Sequence, residues 1–350
     1  MTEAVFALKA ALADPAQLEA RAAWLAGAGR PIVLELHTFG ARDIDTTAGL
    51  AASRATVTQL REHHAVERLI VHVPVQQVPV VTQVDFDAGQ CQRAIAFAAE
   101  IGAEAVVLHR YFDLVFGDAP PRATSKLEAV ARFNAIIHDL ARLAPEIRLL
   151  VENIGHYSLL PRDGRTYLSG PLDHFFPWEI SAFRRFCAQE GLTNVEPFVD
   201  VAHATLSANL FNRRKLHFTE TVDDPRFAWI TPDDLDQAEW LAPFDFVDPA
   251  MSYLHVSDAS LLDAAELAEP NLPEARLVEG IVSEGLEICT GNLPFALLPS
   301  RLGQGTPTLV VEVEPGAGET HIDNGAQLRS LERLSALFDR APASHRPDGS

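Results

Sequence analysis

Residues 148–153 read RLLVEN, and the pattern of this stretch recurs along the chain. It is a short run of branched apolar residues, which favours a buried strand, and it ends in polar groups. Six further runs share this character, at residues 31–37 (PIVLELH), 68–73 (RLIVHV), 105–109 (AVVLH), 197–201 (PFVDV), 251–256 (MSYLHV) and 308–314 (TLVVEVE). Segments with apolar residues at helical spacing lie between or beside them, near 13–28, 53–65, 88–102, 124–143, 177–191, 231–241 and 325–339. Strands and helices are therefore predicted to alternate along the chain.

Near-continuous apolar strands separated by helices are typical of a parallel sheet that is covered on both faces. We expect an eighth strand near residues 277–282, which read LVEGIV. Eight strand–helix units favour a single (β/α)8 TIM barrel over a doubly wound sheet. No GxGxxG loop follows the first run, where residues 37–42 read HTFGAR. The predicted organisation is one barrel domain over residues 1–340 and a disordered tail at 341–350.

Two connections are long for such a barrel, at residues 154–176 and 205–249. Both follow strands, so they are predicted to be long loops at the C-terminal face, acting as lids or binding loops. Surface embellishment or an oligomer contact is the alternative. The first loop leads to an aromatic group that either caps a substrate or forms the core of the lid, namely Phe175, Phe176 and Trp178. Four arginines could pair with an anion or remain solvated, namely Arg162, Arg165, Arg213 and Arg214.

The chain has 350 residues, with 48 acidic side chains against 28 Lys and Arg and a formal net charge of −20. This charge argues against nucleic acid as a partner, because duplex binding relies on a cationic surface. No apolar stretch is long enough to span a membrane, and the first residues lack the features of a secretory signal. The three cysteines lie far apart in sequence. We therefore expect a cytoplasmic protein, and the sequence leaves a homo-oligomer open.

Ionisable side chains stand at the carboxyl ends of the apolar runs. They are Glu35, His37, His72, His109, Glu152, Asp200, His255, Glu312 and Glu314. Burying one such group without a partner costs several kcal/mol or shifts its pKa, so each needs a partner or a metal. In a closed barrel these ends meet at one mouth, and a mixture of carboxylates and imidazoles suits a divalent ion such as Zn²⁺ or Mn²⁺. A metal-free polar site is the alternative.

Four segments resemble motifs of the xylose isomerase-like TIM-barrel superfamily, namely 150–153 (LVEN), 199–204 (VDVAHA), 254–258 (LHVSD) and 310–312 (VVE). This group contains sugar isomerases and epimerases, inosose dehydratase-like enzymes and the endonuclease IV class, and the resemblance covers about residues 30–340. It implies that one divalent ion (Mn, Zn or Co) is bound after strands four, five, six and eight by Glu152, Asp200, His255 and Glu312. It also implies that His203 contacts the substrate.

The resemblance implies an isomerase or epimerase that acts on a sugar or related hydroxy-carbonyl compound through an enediolate. Glu152 and Glu312 would remove and return the proton, and Glu314 is the alternative ligand to Glu312. Three further residues are assigned to substrate binding, namely His72, His109 and Trp178. One alternative function is a metal-dependent hydrolase, lyase or endonuclease IV-like phosphodiesterase with two or three metals, in which His72 and His109 would be ligands. Another is a non-catalytic barrel in a biosynthetic pathway.

Overall fold

Eight parallel strands and the helices between them form the molecule. The computed structural model describes residues 4–74, 83–84, 86–112, 114–116, 124–154, 167–168, 170–224, 227–277, 285–303 and 305–340. The barrel strands are β1 (Val5–Ala11), β2 (Ile32–His37), β3 (Val66–His72), β4 (Ala105–His109), β5 (Arg148–Glu152), β6 (Val195–Asp200), β7 (Tyr253–Val256) and β8 (Thr308–Val311). Each strand pairs with the next in the chain, and β8 pairs with β1. The predicted closed (β/α)8 barrel is confirmed.

Twelve α-helices occur in the described part of the chain. They are α1 (Pro15–Gly27), α2 (Thr47–His63), α3 (Ala88–Ile101), α4 (Lys126–Leu143), α5 (Pro177–Glu190), α6 (Val201–Leu216), α7 (Phe218–Thr221), α8 (Pro232–Leu235), α9 (Ala264–Ala268), α10 (Glu274–Leu277), α11 (Leu298–Arg301) and α12 (Gly325–Arg340). Five of the predicted helices correspond closely to α1, α3, α4, α5 and α12, and α2 begins six residues earlier than predicted. Within the same part of the chain, no helix has the length and apolar character needed to cross a membrane.

The eighth strand of the closed barrel is β1, near the first residues of the sequence. It is not a strand near residues 277–282, as we predicted. Strand β1, which reads VFALKAA, stands between β2 and β8, with Ala7 opposite Val310. Leu277 ends helix α10, and residues 278–282 lie outside the described residues. The strand was missed because Ala and Lys are weak strand formers. As a result, Glu152, Asp200 and His255 end the fifth, sixth and seventh strands rather than the fourth, fifth and sixth.

The connection at 205–249 is not one long loop, as predicted, because helix α6 begins directly after β6. Asp200 is the N-cap of this helix, and its side chain accepts a hydrogen bond from the backbone N–H of His203. Most of α6 is buried on several sides, so it lacks the apolar stripe by which a surface helix is recognised. Of the helix predicted at 231–241, only the single turn α8 forms.

Asn212, on helix α6, anchors the chain segment that covers the helix. Its side chain donates to the carbonyl oxygen of Leu241 over 2.8 Å and accepts from the N–H of Leu241 over 2.9 Å. Asn212→Ala leaves both buried backbone groups without a partner, so we expect the free energy of unfolding to fall by about 2 kcal/mol. Chemical denaturation measures this change, with exposed Glu220→Ala on α7 as the control. Equal stability of the two variants would contradict the anchoring role.

The barrel interior has an apolar lower part and a polar upper part. The apolar residues are Ala7, Val33, Ile70, Ala105, Val107, Leu150, Phe198, Tyr253 and Val310. Two residues further along the strands, on the same inward face, stands a second set that we call the polar layer: Lys9, Glu35, His72, His109, Glu152, Asp200, His255 and Glu312. All eight of these side chains are buried. The apolar residues therefore form the floor on which the polar layer rests.

A small second sheet ties together three of the loops that leave the barrel. Residues 83–84, 114–116 and 167–168 form its three antiparallel strands, in the order in which they occur in the chain. They belong to the connections after β3, β4 and β5. Those three barrel strands supply His72, His109 and Glu152 to the polar layer, so the loops beyond these residues are joined to one another.

Candidate metal centre and active site

Glu152 lies at the centre of the polar layer and is only 1% exposed. Its Oε2 lies 2.9 Å from Nε2 of His109 and 3.5 Å from Nε2 of His72. Its Oε1 lies 3.1 Å from Nδ1 of His255 and 3.6 Å from Nδ1 of His203. One carboxylate therefore meets four imidazoles, which come from four different strands and helices.

The charges in this layer shift the pKa values of its members in opposite directions. Burial alone would raise the pKa of Glu152, but His255 and His109 outweigh it and hold that pKa well below its ordinary value. Burial also tends to lower the pKa of His255, but Glu35, Glu152 and Glu312 outweigh it and raise that pKa well above its ordinary value. Glu152 is therefore ionised at neutral pH, as both a metal ligand and a general base must be.

Glu312 follows strand β8 and approaches the same nitrogen of His255 as Glu152 does. Its Oε2 lies 2.8 Å from Nδ1 of His255, while its Oε1 forms an ion pair with the buried ammonium of Lys9. In the described part of the chain, no hydrogen-bond donor other than Nδ1 of His255 lies near Glu312 Oε2. Burial would raise the pKa of Glu312, but Lys9 and His255 hold it well below its ordinary value. A buried, ionised oxygen whose neighbouring donor is an imidazole nitrogen is suited to binding a cation.

Asp200 is fixed by the junction between β6 and α6. Its backbone N–H donates to Oδ1 of Asn153 over 2.6 Å, and the Asn153 amide donates back to its carbonyl oxygen over 3.0 Å. Its Oδ2 lies 3.9 Å from Nδ1 of His255, on the side of the ring that faces Glu152 and Glu312. Burial raises the pKa of Asp200, an effect that His203 opposes. Nδ1 of His255 is thus surrounded by three carboxylates.

Among the residues that the structure describes, three groups of side chains have ligand atoms close enough to share one ion, within 4.8 Å of one another. They are Glu152–Asp200–His203, His72–His109–Glu152 and Glu35–His255–Glu312. Carboxylate oxygens and imidazole nitrogens suit Mn²⁺, Zn²⁺ and Co²⁺ alike. The residues present therefore fit a divalent metal centre, although the donor set does not choose among these metals.

The structure brings together seven of the eight residues that the sequence assigned to the site. These are Glu152, Asp200, His255, Glu312, His203, His72 and His109. Trp178 lies in a different environment, where its indole N–H donates to Asp234 over 2.9 Å and its ring stacks on Phe176. Its role in substrate binding stays a prediction. Glu314, the alternative to Glu312, is only partly buried, whereas Glu312 belongs to the buried layer.

Of the other aromatic and arginine candidates, four are buried within the protein and two lie outside the described residues. Phe175 and Phe176 are fully buried and pack in the core, next to Phe183 and Phe211 respectively. Arg213 and Arg214 are also buried, and both donate to backbone carbonyl oxygens of the protein itself. Arg162 and Arg165 lie outside the described residues.

Lys9 and Tyr253 were not assigned to the site from the sequence, and Glu35 was placed at the mouth of the barrel without a role. Lys9 was missed with strand β1, although its inward position follows from period two once that strand is recognised. Glu35 stands out at a strand end, but its partner His255 is 220 residues away in the chain. Tyr253 looks like an ordinary strand residue, and its sequence carries no signal that its hydroxyl meets Glu35.

No protein-family model matches this sequence, and no curated protein matches it. Solved structures do. Endonuclease IV from Thermus thermophilus is 14% identical, with a TM-score of 0.50 over 96% of this chain and 100% of the other. D-Allulose 3-epimerase from Methylomonas sp., solved in complex with D-allulose, is 14% identical, with a TM-score of 0.51 over 97% of this chain and 98% of the other. This chain shares the (β/α)8 TIM-barrel fold of these two enzymes. At this identity the likeness concerns the fold alone, and a fold of this kind does not specify one reaction.

Proposed function

We propose that this protein is a divalent-metal-dependent isomerase or epimerase that acts on a sugar or a related hydroxy-carbonyl compound. The observation that carries the proposal is the pair of ionised carboxylates, Glu152 and Glu312, which approach Nδ1 of His255 from strands on either side of β7. Their oxygens lie 3.1 and 2.8 Å from that nitrogen. Two bases placed around one point can remove a proton on one side of a substrate carbon and return it on the other.

Glu152, Asp200, His255 and Glu312 would hold the ion, because their donor atoms converge and Glu312 Oε2 has no other donor among the described residues. A bound divalent ion would supply positive charge that stabilises negative charge developing on the substrate oxygens. The carboxylates of Glu152 and Glu312 would move the proton at the carbon next to the carbonyl. The imidazoles of His72, His109 and His203 would bind substrate hydroxyl groups.

The burial of the site supports a small substrate. His72 is 1% exposed and His109 is 9% exposed, although both stand at the mouth of the barrel. Trp178 belongs to this proposal as a further substrate-binding residue, at the start of α5. The structurally similar Methylomonas epimerase, solved with D-allulose, supports a sugar as the substrate class. The net charge of −20 also favours a small molecule over nucleic acid.

One observation favours a second candidate function, a hydrolase or phosphodiesterase with more than one metal. His72, His109 and Glu152 form a separate group of possible ligands on the β3–β5 side of the barrel. Glu152 would then bridge two ions. In this case His72 and His109 would be ligands and would not bind the substrate.

Metal analysis of protein purified without chelators separates the two candidates. We expect one ion per chain in the wild type and in His72→Ala and His109→Ala, and substantially less in Asp200→Asn and His255→Ala. Two or more ions, reduced to one in the histidine variants, would support the hydrolase. A wild type that binds no added Mn²⁺, Zn²⁺ or Co²⁺ would overturn both candidates.

The isomerase itself is tested with a panel of aldoses and ketoses in deuterated water. Proton transfer through the carboxylates exchanges the transferred proton with solvent, so we expect deuterium at the reacting carbon of the product. Product without deuterium would contradict the carboxylate mechanism. Conversion of no sugar or polyol-derived ketone in the metal-loaded protein would contradict the substrate class.

A further inference from the structure

We infer that Glu35 and Tyr253 are positioning residues that select Nδ1 of His255, rather than Nε2, as its metal-binding atom. This inference rests on the proposed function, and it concerns the residues that contact His255 on the side away from the proposed metal site. Nε2 of His255 lies 2.7 Å from Oε2 of Glu35. The hydroxyl of Tyr253 donates to the same oxygen over 2.5 Å. All three side chains are fully buried.

The hydrogen-bonding capacity of these groups fixes which nitrogen of the ring carries a proton. An ionised carboxylate only accepts, so His255 must present Nε2–H to Glu35. In a neutral imidazole, which is the form that binds a metal, the other nitrogen then bears the lone pair. That nitrogen is Nδ1, which lies within 4 Å of oxygens of Glu152, Asp200 and Glu312. Glu35 therefore directs the lone pair at the three proposed carboxylate ligands.

Neighbouring rings hold the imidazole in this orientation. The ring of Phe198 meets that of His255 edge to face, with centroids 4.9 Å apart. On another side, the ring of His72 stacks on it at 6.0 Å. Tyr253 lies two residues before His255 on β7, so both point into the barrel and Tyr253 supports Glu35 from below. The ring is thus fixed by packing as well as by its hydrogen bonds.

The alternative is that Glu35 itself binds an ion, together with Nε2 of His255 and Glu312. The charges oppose this arrangement. Lys9 stands beside Glu35 in the register of β1 and β2, and its ammonium is already paired with Glu312. A cation placed there would be repelled by Lys9, whereas the Nδ1 side of the ring has three carboxylates around it. Glu35 is therefore assigned to orienting His255.

The affinity for Mn²⁺ tests this assignment without any substrate. We compare metal-depleted wild type with Glu35→Gln, Glu35→Leu and Tyr253→Phe by calorimetric titration. Loss of a partner that orients a metal-binding histidine lowers affinity by about 10- to 100-fold, which we expect for Glu35→Gln. Glu35→Leu should bind more weakly still, because leucine cannot accept a hydrogen bond. Tyr253→Phe keeps the carboxylate, so its loss should be smaller than that of Glu35→Gln. The stoichiometry should stay at that of the wild type.

Glu196→Gln is the matched control, because Glu196 lies near the other end of β6 and bonds to Ser252 and Arg148 instead. Its affinity for Mn²⁺ should equal that of the wild type. Unchanged affinity in a folded Glu35→Leu variant and in Tyr253→Phe would overturn the positioning role. Complete loss of the ion in Glu35→Gln would show that Glu35 is a ligand. If the wild type binds no Mn²⁺, Zn²⁺ or Co²⁺, the proposed function fails first, and the positioning role fails with it.

Discussion

Glu152→Gln is expected to lower turnover by a factor of about 10³ or more while the barrel stays folded. The amide has nearly the shape of the carboxylate, but it cannot accept a proton at the substrate carbon. It also removes the negative charge that four imidazoles surround, since His72, His109, His203 and His255 all lie within 3.6 Å of this carboxylate. We therefore expect both a slower proton transfer and a lower affinity for the ion.

Single-turnover measurements in deuterated water, with the ion added in excess, separate these two effects. Saturating metal restores occupancy but not the missing base, so the deuterium-exchange rate should remain low. Glu104→Gln is the control, because Glu104 precedes β4 at the opposite end of the barrel and lies near Arg68. Exchange above a tenth of the wild-type rate in metal-saturated Glu152→Gln would remove this residue from the acid–base role.

The second large effect is expected from Lys9→Met in the metal-free protein. Lys9 and Glu312 form a buried ion pair whose side chains are 9% and 7% exposed. Removing one partner of a buried pair leaves the other charge uncompensated, so the free energy of unfolding should fall by about 3–5 kcal/mol. On the proposed function, a divalent ion held by Glu312 would offset its uncompensated charge, so adding Mn²⁺ should reduce this loss.

Urea denaturation, with and without Mn²⁺, measures the difference. The double variant Lys9→Met/Glu312→Gln should recover much of the loss, because the isolated charge is then gone. Arg54→Met serves as the contrasting control, because it removes an exposed pair with Glu100 and should cost about 1 kcal/mol or less. A Lys9→Met variant no less stable than Arg54→Met would mean that the buried pair contributes little.

The alternation of strands and helices could be predicted because most barrel strands are runs of branched residues, as in Leu149–Val151. The polar residues that end these runs mark the mouth of the barrel, so six of the seven side chains that the structure brings together follow from their positions alone. His203, within helix α6, was assigned from the family resemblance. Strand β1 could not be recognised in this way. Its inward residues are Ala7 and Lys9, since the barrel floor needs a small side chain at one level and the site has a cation at the next.

The remaining differences have similar physical causes. Helix α6 is buried on most sides, so its sequence shows no polar face, and even Arg213 and Arg214 donate to carbonyl oxygens inside the protein. The relation of Glu35 to His255 and Tyr253 depends on two strands that β1 and β8 separate in the barrel. Local sequence patterns report on residues that are close along the chain. They therefore cannot predict a contact between residues about 220 positions apart.

The closure of the barrel between β1 and β8 also has a consequence for biosynthesis. Lys9 leaves the ribosome 303 residues before its partner Glu312. Until β8 has been made, one edge of β1 has no partner strand, and an unpaired edge invites association with other chains. The ammonium of Lys9 likewise has no Glu312 to meet. The polar layer can therefore be completed only after β8, which supplies the strand beside β1, has been made.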